Sequence, residues 1–255
     1  MKIHVGIPAR MGSSRFPGKP LKRICGMTMI EHVYRRCELA DIVDSVFIAT
    51  CDEEIESEVR SFGGQSIMTD PDIPRPALRV YAAAETMNPD ADDIVITVQG
   101  DEPLIHPDMI DSTVAPLLKE SDVFVSNIVT DILNDSEWHN PNNVKVVTDL
   151  QMDAIYMSRS AIPSAYHEEK RGNRYLQVCV MPFRWHFFKL FNELTPGGLE
   201  RAESVEMLRA IEHGYKVRMV HSPHQTVGVD TPEDLETAER VMENDPIYQR
   251  YRAVK

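Results

Sequence analysis

The sequence predicts an α/β fold with a mostly parallel sheet. Over the first half of the chain, short apolar segments of strand character alternate with segments of helical character, as in parallel strands joined by helical crossovers. Residues 94–98, Ile-Val-Ile-Thr-Val, are almost wholly apolar, which is typical of a strand that helices cover on both faces. Because 255 residues can bury the core of one large domain, we expect a single domain over residues 1–255.

Periodicity and terminal signals predict the individual elements. Residues 29–39 are predicted to be helical because apolar side chains recur at i, i+3, i+4 and i+7 from Ile30 onward. Residues 232–243 carry a strong helix start, with Thr231 as the N-cap and Pro232 at the first helical position. The other predicted strands lie at 3–7, 46–50, 66–69 and 123–130, and the other helices at 53–62, 77–87, 107–118 and 203–213.

The alternation of strands and helices loosens after residue 130. Residues 144–147 and 154–157 have the character of hairpin strands within a long polar stretch. We therefore expect an antiparallel excursion from the parallel sheet over about residues 135–190.

Charge and hydropathy exclude several classes of protein. The chain has 27 Lys and Arg residues against 40 Asp and Glu residues, and its net charge of −13 would repel a nucleic-acid backbone. No apolar run approaches the roughly 20 residues of a membrane span, and no apolar secretory segment follows Met1. We expect no nucleic-acid partner, no membrane partner and a cytoplasmic location.

A basic loop follows the first predicted strand, although the chain as a whole is acidic. It contains three cations and two hydroxyls, which are Arg10, Ser13, Ser14, Arg15 and Lys19. Such a loop between a strand and a helix can surround a polyphosphate with cations and backbone N–H groups. It is not a Walker A loop, because Lys19 is followed by Pro20. A solvated basic loop without a ligand is the alternative.

Two carboxylates stand where a divalent cation could be bound beside phosphates. Asp101 directly follows the most apolar strand, and ligands of open α/β sheets bind at the carboxyl ends of the strands. Asp230 lies in a similar setting before the last predicted helix. Carboxylate oxygens suit Mg²⁺, and the alternative for each residue is a turn or cap without a ligand.

At this level of detail the sequence resembles the Kdo cytidylyltransferase family, where Kdo is 3-deoxy-manno-octulosonate. The resemblance runs nearly end to end, and its motifs occur in the family's order and spacing. They lie at residues 10–21, 98–103, 140–147, 156–159, 162–163 and 228–235.

The resemblance implies a reaction and an architecture. Members of the family transfer CMP from CTP to a 3-deoxy-2-ulosonic acid and release pyrophosphate. They have a Rossmann-like nucleotidyltransferase fold and are usually homodimers. For this chain the resemblance therefore implies CTP and an acidic small molecule as partners, Mg²⁺ as cofactor, and an antiparallel excursion used for acceptor binding and dimerisation.

The same resemblance implies roles for individual residues. The implied nucleotide-binding residues are Arg10, Ser13, Ser14, Arg15, Lys19 and Arg79. The implied catalytic residues are Arg10, Lys19 and Asp101, and the implied metal ligands are Asp101 and Asp230. The implied acceptor-binding residues are Gln99, Arg159 and Glu206.

The sequence departs from the family pattern on the acceptor side. A polar run of the family, His-x-Ser-Gly-Thr-[Asp/Glu]-Arg, is replaced by residues 73–79, which keep only the final Arg79. Family His, Tyr and Gln positions are occupied by Gln177, Met181 and Met207. Because a site built for sugar hydroxyls loses selectivity without its hydrogen-bonding partners, we expect Kdo itself to be a poor acceptor.

Two alternatives stay open at this point. The first is the same chemistry on a non-Kdo acid such as a small phosphonate, which the additional cation Arg75 favours. The second belongs to another class, a nucleotide-binding protein that has lost catalysis, although the presence of Arg10, Lys19, Asp101 and Asp230 argues against it.

Overall fold

A computed structural model describes residues 1–12, 16–164, 166 and 173–253 of the chain. The chain forms two compact units, one of Met1–Asp111 with Thr226–Lys255 and the other of Ser112–Gln225. Among the described residues, no helix is both long enough and apolar enough to cross a membrane. The single domain expected from the chain length stays a prediction.

The first unit is built on parallel strands. Its strands are β1 (Ile3–Ala9), β2 (Arg23–Ile24), β3 (Met27–Thr28), β4 (Ser45–Thr50), β5 (Ser66–Met68) and β6 (Ile94–Val98). Within this unit the parallel strands follow the order β6-β1-β4-β5, while β2 and β3 form a separate antiparallel pair. All residues of β1 and β6 are buried, as the apolar run at 94–98 predicts.

Helices connect these strands in the predicted alternation. They are α1 (Met29–Glu38), α2 (Glu53–Ser61) and α3 (Pro76–Glu85), and a 3-10 turn covers Lys19–Leu21. Helix α4 (Pro107–Lys119) follows β6 along the chain and continues into the second unit, which begins at Ser112. The apolar face predicted for α1 is confirmed, because Ile30, Val33, Tyr34 and Cys37 are at most 5% exposed.

The second unit contains a mostly antiparallel sheet. Its strands are β7 (Ser126–Asp131), β8 (Lys145–Thr148), β9 (Ala154–Ser158), β10 (Tyr175–Val178), β11 (Val180–Arg184) and β12 (Arg218–His221). Five of them follow the order β12-β7-β10-β8-β9, in which only the β12–β7 pair is parallel. The predicted α/β fold, mostly parallel with an antiparallel excursion, is confirmed. Residues 135–190 supply β8 to β11, but the sheet also takes β7 and β12 from outside that range.

The helices of the second unit include one departure from the sequence prediction. They are α5 (Asp135–His139), α6 (Trp185–Glu193), α7 (Gly198–Glu203) and α8 (Met207–Glu212). The single helix predicted over residues 203–213 is wrong, because Ser204 has φ 54°, a left-handed conformation that ends α7. The next helix, α8, begins at Met207.

The last segment of the chain belongs to the first unit. It forms α9 (Pro232–Met242) and α10 (Pro246–Tyr251). The predicted N-cap Thr231 is confirmed, and it forms a capping box with Asp234. Buried apolar side chains join α9 to the β2–α1 region, and they are Ile24, Met29, Leu104, Val229, Ala238 and Met242. This cluster fixes Val229 and the residue after it within the first unit.

A buried hydrogen-bond chain fastens α10 to α1. The Nε2–H of His32 donates to the carbonyl of Ile24 over 2.8 Å, because a carbonyl oxygen can only accept. The Nδ1 atom then accepts from the Tyr251 hydroxyl over 2.7 Å, and that hydroxyl accepts from Arg36 Nε over 3.2 Å. Arg36 also forms an ion pair with Asp245. These contacts are those of a neutral His32 imidazole with its proton on Nε2.

Burial lowers the pKa of His32 from 6.5 to about 4. The unfolded chain then binds a proton at His32 between these values while the folded chain does not, so this residue's contribution to stability is lost as the pH falls through that window. Between pH 7 and pH 4.5, His32 should cost the wild-type protein about 2–3 kcal/mol of unfolding free energy. We expect the His32→Gln variant not to show this loss. Urea unfolding at both pH values measures this difference.

The exposed His213 provides a matched control, since His213→Gln removes an imidazole outside the core. A pH dependence in His32→Gln equal to that of the wild type and of His213→Gln would contradict the assignment.

Candidate active site

A cleft of about 300 Å³ opens in the first unit at the carboxyl ends of β1 and β6. Its lining residues are Pro8, Ala9, Arg10, Gly12, Lys19, Pro20, Ile73, Pro74, Arg75, Pro76, Arg79, Gln99, Gly100 and Asp101. Four cations and one carboxylate are among them, so the cleft is cationic although the chain is acidic. The structure thus brings five of the candidate site residues, Arg10, Lys19, Arg79, Gln99 and Asp101, together in one cleft.

The basic loop after β1 is held at both ends. The N–H of Met11 donates to Asp52 Oδ2 over 2.7 Å, and the carbonyl of Met11 accepts from the N–H of Gly18 over 3.2 Å. Arg10 stands exposed at the start of this loop. The predicted nucleotide-binding residues Ser13, Ser14 and Arg15 lie outside the described residues.

Lys19 contacts two carboxylates and a carbonyl. Gly18 adopts φ 68°, which favours glycine, and turns the chain into the 3-10 turn that begins at Lys19. The Lys19 ammonium lies 2.8 Å from Asp101 Oδ2, 2.8 Å from the Val229 carbonyl and 3.2 Å from Asp230 Oδ1. The predicted metal ligands Asp101 and Asp230 therefore share one cation.

Backbone contacts bring the two carboxylates to the same place. Gly100 lets β6 and β1 approach closely, because a Cβ there would lie 2.9 Å from the Pro8 carbonyl. The N–H of Val229 donates to the Asp101 carbonyl over 2.8 Å. On the other side, Asp234 Oδ2 accepts from the N–H of Asp230 over 3.0 Å. Strand β6 and the cap of α9 thus each position one carboxylate.

A third acid beside this pair stays largely protonated at neutral pH. Burial, and then the negative charge of Asp101, raise the pKa of Glu102 to about 8. Its Oε2 accepts from the Thr226 hydroxyl over 2.8 Å, which partly offsets that effect. Glu102 therefore adds little negative charge beside Asp101 and Asp230 at neutral pH.

The oxygen atoms around Lys19 fit a hard divalent cation. They comprise two carboxylates, about a third exposed, and one backbone carbonyl, with no nitrogen or sulfur donor among the three groups. Oxygen-only donor sets of this kind select Mg²⁺, Ca²⁺ or Mn²⁺ over softer metals.

Arg79 supports the wall of the cleft. Its side chain is 3% exposed and donates to Thr69 Oγ1 over 2.5 Å, to the Asp70 carbonyl over 3.2 Å and to the Ile73 carbonyl over 2.9 Å. Thr69 in turn donates to the Thr50 carbonyl at the end of β4. Arg79 therefore ties residues 70–73 to the sheet, and its predicted contact with a nucleotide stays a prediction.

The predicted acceptor-binding residues lie in both units. Gln99, half-buried after β6, lines the cleft of the first unit, whereas Arg159 and Glu206 belong to the second unit. The Arg159 guanidinium donates to backbone carbonyls of Glu203, Pro141, Asn142 and Ser204, the shortest over 2.7 Å. Arg159 thus fastens a loop of its own unit, and acceptor contacts by Arg159 and Glu206 stay predictions.

The departures from the family pattern have structural counterparts. Ile73 and Pro74 line the cleft. Met181 and Met207 are 3% and 0% exposed and belong to the core of the second unit. Gln177 is half-buried on β10. Two of the three substituted positions thus contribute apolar packing.

Two groups that build the site are not among the residues predicted from the sequence. Asp52, at the carboxyl end of β4, positions the basic loop, and the same strand-end argument used for Asp101 would have found it. The Val229 carbonyl leaves no signal in the sequence, because a backbone group does not depend on residue type.

Known proteins are similar to this chain over most of its length. The profile of a family described as cytidylyltransferase matches residues 5–222. A 3-deoxy-manno-octulosonate cytidylyltransferase of Solibacter usitatus is 42% identical to this chain, and the match covers 94% of this chain and 94% of that protein. An 8-amino-3,8-dideoxy-manno-octulosonate cytidylyltransferase of Shewanella sp. strain ANA-3 is 39% identical over 94% of this chain and 98% of its own.

Solved structures show the same similarity. A CMP:2-keto-3-deoxy-manno-octonic acid synthetase in complex with CTP has a TM-score of 0.88 and 36% identity, over 95% of this chain and 99% of that one. A cytidylyltransferase of Leptospira borgpetersenii, at 17% identity and a TM-score of 0.63 over 97% of this chain and 90% of that one, shares the fold.

The position of Arg79 makes a prediction about stability without any ligand. Arg79→Met leaves three acceptors without their donor, so we expect a loss of about 2–4 kcal/mol of unfolding free energy in urea. Arg60→Met is the control, since the Arg60 side chain is 76% exposed. If both variants were as stable as the wild type, Arg79 would not support the wall.

Proposed function

The chain belongs to the 3-deoxy-manno-octulosonate cytidylyltransferase family, and from this membership we propose that it transfers CMP from CTP to a 3-deoxy-2-ulosonic acid. The observation that carries the proposal is the cationic cleft beside a pair of carboxylates at the carboxyl ends of parallel strands. A triphosphate needs cations along its charge, and the carboxylates suit a metal between protein and phosphate.

The proposed reaction is a displacement at the α-phosphorus of CTP. A hydroxyl oxygen of the acceptor forms the new P–O bond, the bond to pyrophosphate breaks, and the hydroxyl proton is released to solvent. Arg10 and Lys19 would hold the triphosphate and stabilise the charge of the leaving pyrophosphate. The contribution of the chain is therefore positioning and electrostatics.

We propose Mg²⁺ as the metal and Asp101 and Asp230 as the residues that hold it. When bound there, the cation supplies positive charge to the phosphoryl oxygens. The support is the oxygen-only donor set, which consists of the carboxylates of Asp101 and Asp230 and the Val229 carbonyl around Lys19.

The acceptor is proposed to be an acid. Gln99 and Arg75 both line the cleft, and Arg75 adds a cation that suits a carboxylate or a doubly charged phosphonate. We propose a homodimer, as the resemblance to the family implies, and a cytoplasmic location.

A pyrophosphate-release assay tests the function. CTP would be combined with Kdo, an 8-amino-substituted relative and small phosphonates. Turnover with an ulosonic acid supports the proposal, turnover with a phosphonate alone moves the acceptor to that class, and no release with any acid indicates a nucleotide-binding protein without activity.

The metal assignment predicts the effect of single substitutions. Asp101→Asn and Asp230→Asn keep the size of each side chain but remove a charged ligand, so kcat should fall at least about 100-fold. Asp122→Asn, whose side chain is 66% exposed in the second unit, is the control. Near-normal rates at saturating Mg²⁺ for either variant would exclude that residue from the site.

The altered acceptor side predicts the substrate preference. Each sugar hydroxyl left without a partner costs about 1–3 kcal/mol, and Ile73 and Pro74, which line the cleft, offer no hydrogen-bonding side chain. We expect kcat/KM for Kdo to lie below about 10⁴ M⁻¹s⁻¹ and below that for another acidic acceptor. A higher kcat/KM for Kdo would contradict this prediction and indicate that Kdo is the acceptor.

A further inference from the structure

Lys19 and the proposed metal would use the same oxygen atoms. The ammonium lies 2.8 Å from Asp101 Oδ2 and 3.2 Å from Asp230 Oδ1, and its side chain is only 12% exposed. The Val229 carbonyl also accepts from it over 2.8 Å. Lys19 thus directs its donors into the cluster of oxygens.

The Lys19 ammonium in this position repels a second cation that binds to the same carboxylates. A divalent ion bound to either carboxylate would lie within a few ångströms of the ammonium, where water screens their repulsion only in part. Lys19 has another suitable partner in the phosphates that the cleft is proposed to bind, because an ammonium binds phosphate as a point charge.

We propose that Lys19 competes with the divalent cation for Asp101 and Asp230, and that this competition couples metal binding to nucleotide binding. The inference rests on the proposed metal site. Without nucleotide, Lys19 weakens the affinity of the carboxylates for the metal. With nucleotide, the phosphates accept the ammonium, and the carboxylates become available to the metal.

The chain offers a matched control for removing this charge. Lys22 lies three residues after Lys19 and is exposed, with its ammonium 5.6 Å from the centre of the Phe16 ring. Lys22→Met removes the same charge from the same segment, but it removes no hydrogen bond to the acidic cluster.

The test measures Mn²⁺ binding to the nucleotide-free protein by electron paramagnetic resonance. We expect Lys19→Met to bind Mn²⁺ about tenfold more tightly than the wild type, because a unit charge at contact distance changes a binding constant by about that factor or more. Lys22→Met should bind Mn²⁺ like the wild type. An affinity of Lys19→Met that equals or falls below that of Lys22→Met overturns the inference.

Two further variants separate this inference from the proposed function. Asp101→Asn and Asp230→Asn should each lose Mn²⁺ binding, and if they retain it, the metal site itself is wrong. If they lose it while Lys19→Met binds no more tightly than Lys22→Met, only the competition is wrong.

A second measurement uses the wild-type protein and does not depend on a stable variant. Binding is reciprocal, so a metal that opposes Lys19 must also release it. Acetylation by acetic anhydride, quantified by mass spectrometry, should modify Lys19 faster relative to Lys22 when Mg²⁺ is added. A ratio that stays constant or falls as Mg²⁺ is added contradicts the competition.

Discussion

The contact of Lys19 with Asp101 and Asp230 joins three segments that lie far apart in the chain. Two carboxylates this close repel each other, and a third acid, Glu102, adjoins them, so the cluster needs a cation to be stable. Lys19 supplies one positive charge, and Glu102 avoids a third negative charge by keeping its proton, with a pKa raised to about 8. The geometry of the candidate site therefore depends on charge balance within a few ångströms.

Apolar packing also holds the charged cluster in place. Val229 is fully buried in the apolar cluster that joins α9 to the β2–α1 region, while its carbonyl accepts from Lys19. The next residue, Asp230, donates its N–H to Asp234, which is the partner of Thr231 in the capping box of α9. The His32–Tyr251 hydrogen bond fastens the following helix to α1. The same segment thus carries core residues and a candidate ligand, so a change in either would disturb the other.

The sequence predicted those features that periodicity and strand ends encode. The buried face of α1, the apolar β6, the cap at Thr231 and the placement of Asp101 beyond a strand end all depend on local patterns. The break at Ser204 was missed because serine is not a usual signal for a left-handed residue. The roles of Arg79 and Arg159 could not be predicted either, since both donate to backbone carbonyls that only the folded chain brings within reach.

The two sides of the cleft differ in how far their side chains can be substituted without loss of structure. One side consists of Lys19 and its carboxylates, where each charge balances another and a substitution would alter the whole cluster. The other side consists of residues 73–76, which Arg79 and Thr69 hold to the sheet through main-chain atoms of residues 70 and 73. Because carbonyls belong to the backbone, side chains on this wall can change from polar to apolar without loss of its support. The charged side of the cleft can therefore stay unchanged while the wall formed by residues 73–76 takes a different chemical character.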